Sequence, residues 1–301
     1  MKRMRMALDW TANTNHSGFY VAQKKGFYEE QGLEVELLTP DMDNYALTPA
    51  KKVELEMAEL ALCPFESIIS YNTKMQKFHA VAIASIFRED ISAIVALKDS
   101  GINSPKDLDD KVYASYNARY EDGIVKQMIK NDGGVGALEL VNPKKLGIWE
   151  TLLTGKYDAT WIFMNWEGVH ASSRKIALNT FKMADYAIPY GYSPVIMAGK
   201  NSVHSHESMY RSFLKATKKG FLYAKDNPDY AVDSIKPFLA KGDKDIDVLE
   251  SQKFSNRYYG DETNWGILDK EEVKAFLNWL YETKFETAQL QYQDLVFEGL
   301  L

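Results

Sequence analysis

Strand-like and helix-like segments alternate in two rounds before residue 203, and this alternation restricts the possible folds more than any other feature of the chain. Arg3–Asp9 sets Met4, Met6 and Leu8 against polar neighbours, the period of a half-buried strand. Phe19–Lys25 has the spacing of a short amphipathic helix ended by Gly26, and Leu33–Leu38 alternates again through Leu33, Val35 and Leu37. Lys51–Met57 is predicted helical and leads to a strand at Leu60–Cys63, after which Pro64 opens the next helix. His79–Phe87 and Ile91–Leu97, rich in Val and Ile, complete the first round. In the second, strands are predicted at Val112–Tyr116, Leu138–Val141 and Ala159–Phe163, and helices from Ser104, over Asp122–Lys130 and over Ile148–Thr154. Asp185–Pro189 and Pro194–Ala198 then return toward the first half. Beyond residue 203 the pattern changes to long helices at Glu207–Asp226, Asp229–Leu239, Asp247–Tyr258 and Lys270–Lys284.

Strands alternating with helices of this length imply parallel sheets joined by right-handed crossovers. Two rounds imply two α/β lobes with a ligand cleft between them. The crossings fall at Ile91–Leu97 and Ser193–Ala198, dividing the chain into 1–93, 94–194 and 195–301. Neither crossing has a Gly/Ser tether, which favours a bending hinge. The length of 301 residues fits two domains of about 150. A net charge of -6 without a basic stripe argues against nucleic acid as a partner. The single cysteine, Cys63, excludes an internal disulfide and any multi-cysteine metal site. The first ten residues carry positive charge but no apolar stretch of the kind a secretory signal needs, and no apolar run reaches bilayer length. As written, the chain reads as soluble and unexported.

Familiar catalytic and cofactor motifs are missing: no GxGxxG after a strand, no Walker A sequence, no HExxH, GxSxG or CxxC. Gly133-Gly134-Val135-Gly136 follows a helix and does not open one, so it reads as a turn. His204 and His206 lack a third ligand. Cys63 has no basic neighbour in sequence and is expected to be an inert buried thiol. No catalytic residue, metal or cofactor is expected.

Polar and aromatic residues instead gather at three predicted strand ends, where ligands bind in open α/β sheets. Asp9-Trp10-Thr11-Ala12-Asn13-Thr14-Asn15-His16 pairs a stacking face, Trp10, with the donors and acceptors of Asn13 and His16. Cys63-Pro64-Phe65-Glu66-Ser67 places Glu66 and Ser67 at a helix start, where the helix dipole alone favours a carboxylate. Trp161 to Gly168 sets Asn165, Trp166 and Glu167 directly after a strand. A carboxylate among aromatic faces suits a flat heterocycle with N–H donors, such as an aminopyrimidine. Tyr113, Tyr116, Tyr190 and Tyr192 come from neighbouring strand ends and are candidates to complete a cage.

These residues carry a resemblance. Asp9-Trp10-x-x-Asn13-x-Asn15-His16-x-Gly18-x-Tyr20-Val21-Ala22, followed by Lys25-Gly26-Phe27-Tyr28-x-x-Gln31-Gly32-Leu33, resembles the opening of the thiamine-pyrimidine-precursor family. The likeness runs from about residue 4 to 285 and weakens through the C-terminal helices. That family contains solute-binding proteins of ABC transporters for formylaminopyrimidine. It also contains an enzyme that makes the thiamine pyrimidine from pyridoxal phosphate and histidine. Asn165-Trp166-Glu167-Gly168 looks like the transporter branch. The enzyme branch uses a Schiff-base lysine with a histidine four residues on, and a cysteine-rich iron cluster. At the matching place this chain has Cys63-Pro64-Phe65-Glu66-Ser67, with neither lysine nor histidine, and it has no second cysteine.

The resemblance therefore implies a two-lobed type II periplasmic-binding-protein fold that closes on a thiamine pyrimidine precursor and delivers it to an ABC permease outside the cytoplasm. In that reading Trp10 stacks on the ring with Trp166 or a tyrosine opposite, and Glu167 accepts its amino hydrogens. Asn13, His16, Glu66, Ser67, Tyr116, Asn165 and Tyr190 supply the remaining contacts. Three alternatives stay open: the pyrimidine-forming synthase, a binding protein for another flat solute such as riboflavin or a sulfonate, and a cytosolic sensor. A sulfonate site calls for arginine and helix N-termini, and few arginines lie near the three clusters.

Overall fold

A computed structural model describes residues 1–144 and 147–301. Ten strands form two five-stranded sheets. In chain order they are β1 (Lys2–Ala7), β2 (Leu33–Leu38), β3 (Leu60–Cys63), β4 (Ala80–Ser85), β5 (Ser92–Leu97), β6 (Val112–Ala114), β7 (Glu139–Val141), β8 (Ala159–Phe163), β9 (Leu178–Phe181) and β10 (Val195–Gly199). The first sheet has the order β2-β1-β3-β10-β4 and the second β7-β6-β8-β5-β9. The α/β architecture with two sheets is thus the one implied by the alternating pattern.

The sheets share one topology. Each has a parallel trio, β2-β1-β3 or β7-β6-β8, flanked by an antiparallel strand, β10 or β5, and closed by a fifth, β4 or β9. The central strand β3 and the edge strand β4 are both buried along their whole length, and this explains their unbroken apolar runs.

The chain separates into two compact units: Met1–Asp90 with Gly191–Lys274 and Leu290–Leu301, and Ile91–Tyr190 with Ala275–Gln289. The expected span 195–301 differs from this at Ala275–Gln289, which groups with the second unit. Aromatic packing and one buried carboxylate hold it there. Phe276 meets the rings of Tyr120 and Tyr190 edge-on at 6.5 and 5.6 Å, and Glu286 accepts hydrogen bonds from the Tyr120 hydroxyl at 2.9 Å and Arg119 at 2.5 Å.

Two further local expectations change. Asp185–Pro189 is not a strand; Met183–Tyr186 is a 3-10 turn ended by Ala187 at a left-handed φ of 56°. The strand that completes the second sheet is β9, upstream of it. There Asn179 is buried and donates to the Ile102 carbonyl at 2.6 Å while accepting from Lys98 at 2.8 Å. Among the described residues no helix is long and apolar enough to cross a membrane.

Candidate functional site

In the first unit the residues read as a site follow the carboxyl ends of β1 and β3. These strands are neighbours and parallel, with Met6 opposite Leu60 and Ala7 opposite Ala61. Residues 8–16 and 63–67 therefore leave the same sheet edge. β10 enters at that edge, Val195 lying opposite Cys63, and the Phe65 amide donates to the Tyr192 carbonyl at 3.2 Å.

The Trp10–His16 loop is built by its own polar side chains. The Asn13 carboxamide oxygen accepts from the Asn15 amide at 2.8 Å, and its nitrogen donates to the Thr11 carbonyl at 2.9 Å. Fully buried His16 places Nε2 2.7 Å from the Asp9 carboxylate, and its Nδ1 accepts from the Asn13 amide at 3.4 Å. An accepting Nδ1 puts the ring proton on Nε2, so His16 donates to Asp9. Asn13 and His16 thus spend their principal bonds on shaping the loop. Trp10 is partly exposed.

The β3 end joins this loop electrostatically. Burial, then the charges of Asp9 and Glu66, push the Cys63 thiol far above its ordinary range, against a hydrogen bond with the Ser67 hydroxyl. Cys63 is 3% exposed, with its Sγ 3.8 Å from the sulfur of Met197, so it is a packed, protonated thiol and no nucleophile. Glu66 is buried beside it, and Ser67 is half-buried at the first helical turn of Phe65–Thr73.

In the second unit the corresponding edge lies past β6 and β8, again parallel neighbours, with Ala114 opposite Thr160. Met164–Gly168 forms a π-helical turn, a feature enriched at functional sites. Within it Glu167 folds back, one carboxylate oxygen accepting the Phe163 amide at 3.1 Å. Asn165 and Trp166 are buried at 0% and 4% exposure, while Trp161, Tyr116 and Tyr190 remain partly exposed. Trp161 and Tyr190 pack edge to face at 5.1 Å. Tyr116 lies among carboxylates: burial first, then Glu167, Glu121 and Glu150, hold its hydroxyl protonated well above the usual tyrosine range.

Of the four tyrosines proposed for a cage, two have other work. Tyr113 is fully buried and donates to Glu121 at 2.9 Å, and Tyr192 is buried in the first unit, accepting the Asp269 amide at 2.8 Å. Glu121, which the sequence did not single out, organises the β6 end. Its carboxylate accepts the Tyr113 hydroxyl, the Tyr116 amide at 3.0 Å and the Ala118 amide at 3.1 Å. Its only sequence signal was its position at the head of a helix. Neither edge gathers three or more metal-ligating side chains among the described residues, and His206 instead bonds the Ser202 carbonyl at 3.2 Å.

Each of the two α/β units thus carries an edge with aromatic and carboxylate side chains, and solved structures share the fold. The alkanesulfonate-binding protein SsuA of Xanthomonas axonopodis pv. citri, bound to MOPS, superposes with a TM-score of 0.74 at 8% identity, covering 99% of both chains. The periplasmic aliphatic sulphonate-binding protein SsuA of Escherichia coli gives 0.72 at 10% identity, covering 99% of this chain and 92% of that one. At such identities the likeness speaks for the fold alone. Residues 13–231 match the NMT1/THI5-like family, and the chain belongs to it. A thiamine biosynthesis protein of Haemophilus influenzae is 29% identical over 76% of this chain and 71% of its own length. The formylaminopyrimidine-binding protein of Halalkalibacterium halodurans is 24% identical over 78% and 70%. The 4-amino-5-hydroxymethyl-2-methylpyrimidine phosphate synthase of Legionella pneumophila is 23% identical over 77% and 72%.

Proposed function

We propose that this protein is the solute-binding component of an ABC importer, capturing a thiamine pyrimidine precursor of the formylaminopyrimidine type and passing it to a membrane permease. In this reading it acts outside the cytoplasm and catalyses no reaction. The observation that carries the proposal is the edge past β8, where the π-helical turn Met164–Gly168 sets the Glu167 carboxylate next in sequence to buried Asn165 and Trp166. The partly exposed Glu167 carboxylate suits a donor-rich ring better than a sulfonate or phosphate. In the first unit Trp10 supplies a flat face, with Glu66 and Ser67 at the neighbouring strand end; in the second, Trp161 and Tyr190 supply flat faces, with Asn165 and Trp166 following β8.

The second reading is a pyrimidine-forming synthase, favoured by the relatives that bear that name. Against it stands the β3 end, which offers a buried thiol and Glu66 where a Schiff base needs an amine. Incubation with pyridoxal phosphate is expected to give no aldimine absorbance; appearance of that band decides for the enzyme.

Glu167→Gln provides a residue-level test. The amide oxygen can still accept the Phe163 amide, so the π-helical turn is retained, but the negative charge is lost. Binding of hydroxymethylpyrimidine is expected to weaken about tenfold or more, with the melting temperature nearly unchanged. Wild-type affinity in this variant removes Glu167 from the ligand site.

A further inference from the structure

The first unit carries a second aromatic and acidic group beside the Trp10–His16 loop, at the carboxyl end of β2. Asp43 pins the turn that follows β2: its carboxylate lies 3.1 Å from Lys52, and the Tyr45 amide donates to the Pro40 carbonyl at 2.8 Å. This pinning holds two consecutive non-glycine residues, Asn44 and Tyr45, at left-handed φ values of 54° and 61°. Strained conformations of this type persist where the surroundings enforce them and cluster at ligand clamps. Tyr45 is 42% exposed and Phe238, from a separate segment, 52% exposed. The Thr11 hydroxyl donates to Asp243 at 3.3 Å, tying that segment to the candidate loop.

Tyr20 supplies the independent observation. Its ring stacks on Phe238 with centroids 4.6 Å apart, and it is 3% exposed, yet its hydroxyl has no hydrogen-bond partner among the described residues. Burial, then the charge of Asp41, push that hydroxyl up to about 12. Asp41 and Asp243 both act on Tyr45 in the same sense, after burial. Asp41 has no ion-pair partner among the described residues. The Tyr20–Phe238 stack and Asp243 thus belong to the surroundings of the candidate loop, and the Asp41 charge acts on both Tyr20 and Tyr45.

We propose that Tyr20, Asp41, Tyr45, Phe238 and Asp243 form a subsite for a small organic cation, an ammonium or amidinium group carried by the ligand. Aromatic faces attract such a cation through their quadrupoles, the carboxylates neutralise it, and an N–H group meets the Tyr20 hydroxyl. The proposal deepens the function above, because it gives the pyrimidine a positively charged extension, and it rests on that reading for the natural ligand only.

Its test uses benzyltrimethylammonium and benzyl alcohol as probes, with hydroxymethylpyrimidine titrated in parallel. By calorimetry the cation is expected to bind wild-type protein at least about tenfold more tightly than the alcohol. The double variant Asp41→Asn/Asp243→Asn is expected to erase that preference while keeping the circular dichroism and melting temperature of wild type. Phe238→Ala, at an exposed position, should weaken the cation and spare the pyrimidine. Equal binding of the two probes, binding of neither, or a preference that survives the double variant overturns the subsite. Pyrimidine binding with no cation preference removes the subsite alone, and cation preference without pyrimidine binding removes the pyrimidine reading alone.

Discussion

Gly220→Ala is expected to lower the stability of the first unit by about 3 kcal/mol, at the upper end of the usual cost of overpacking. Gly220 lies on the helix Glu207–Asp226 where that helix meets Ser17–Lys24. A Cβ at this position would stand 2.1 Å from the Gly18 carbonyl oxygen and 2.9 Å from the Ala22 Cβ. The obstacle is backbone, so no rotamer relieves it and the helices must part. Separation loosens the Phe19 ring from Phe221, now edge-on at 5.2 Å, and from Phe213 at 6.5 Å. The Ser17–Lys24 helix begins directly after His16, so the candidate loop moves with it. Thermal unfolding should show a drop of roughly 6–12 °C, using about 2–4 °C per kcal/mol for a unit of this size. Gly242→Ala is the control, since a Cβ there meets nothing within 4 Å. A Gly220→Ala protein that melts like wild type contradicts this packing.

Glu121→Ala is expected to cost about 2–4 kcal/mol, because it strands three donors in one step. The Tyr113 hydroxyl and the amides of Tyr116 and Ala118 all point at this carboxylate, which is 3% exposed. Glu121→Gln is milder: one oxygen still serves Tyr113 and Tyr116, and the amide nitrogen meets the Ala118 donor. The pH dependence separates charge from shape. Burial raises the Glu121 carboxyl above the ordinary glutamate value despite these hydrogen bonds. The folded protein therefore holds this proton more tightly than the unfolded chain. Its contribution is fully present below the unfolded value and is lost as pH rises through the raised folded value. Denaturant midpoints of wild type should fall relative to Glu121→Gln over that window and then run parallel. A wild type that gains on the variant as pH rises reverses the sign and removes the burial argument.

The strands most legible in sequence are those whose chemistry is local. Leu33–Leu38, Leu60–Cys63 and Ala159–Phe163 stand where apolar alternation or an unbroken apolar run placed them. Leu178–Phe181 was illegible because its burial of Asn179 depends on Ile102 and Lys98, which come from far upstream. The same distance hides parts of the site. Nothing near Thr11 in sequence announces Asp243, and nothing near Arg119 or Tyr120 announces Glu286. Trp10, Tyr116 and Glu167 could be singled out because aromatic and acidic residues directly after a strand are visible in one stretch. Their hydrogen bonds were not visible. The turning of Glu167 onto the Phe163 amide and the use of His16 and Asn13 as loop builders follow from backbone geometry at the strand ends.

The central claim is that this protein recognises an aminopyrimidine and performs no chemistry on it. Calorimetric titration of the wild-type protein with formylaminopyrimidine, hydroxymethylpyrimidine and riboflavin tests it most directly. One pyrimidine is expected to bind at one site per chain with a dissociation constant of about 1 μM or tighter, near −8 kcal/mol, and to be recovered unchanged. Riboflavin should give no heat. No heat with either pyrimidine, or their recovery in altered form, contradicts the account.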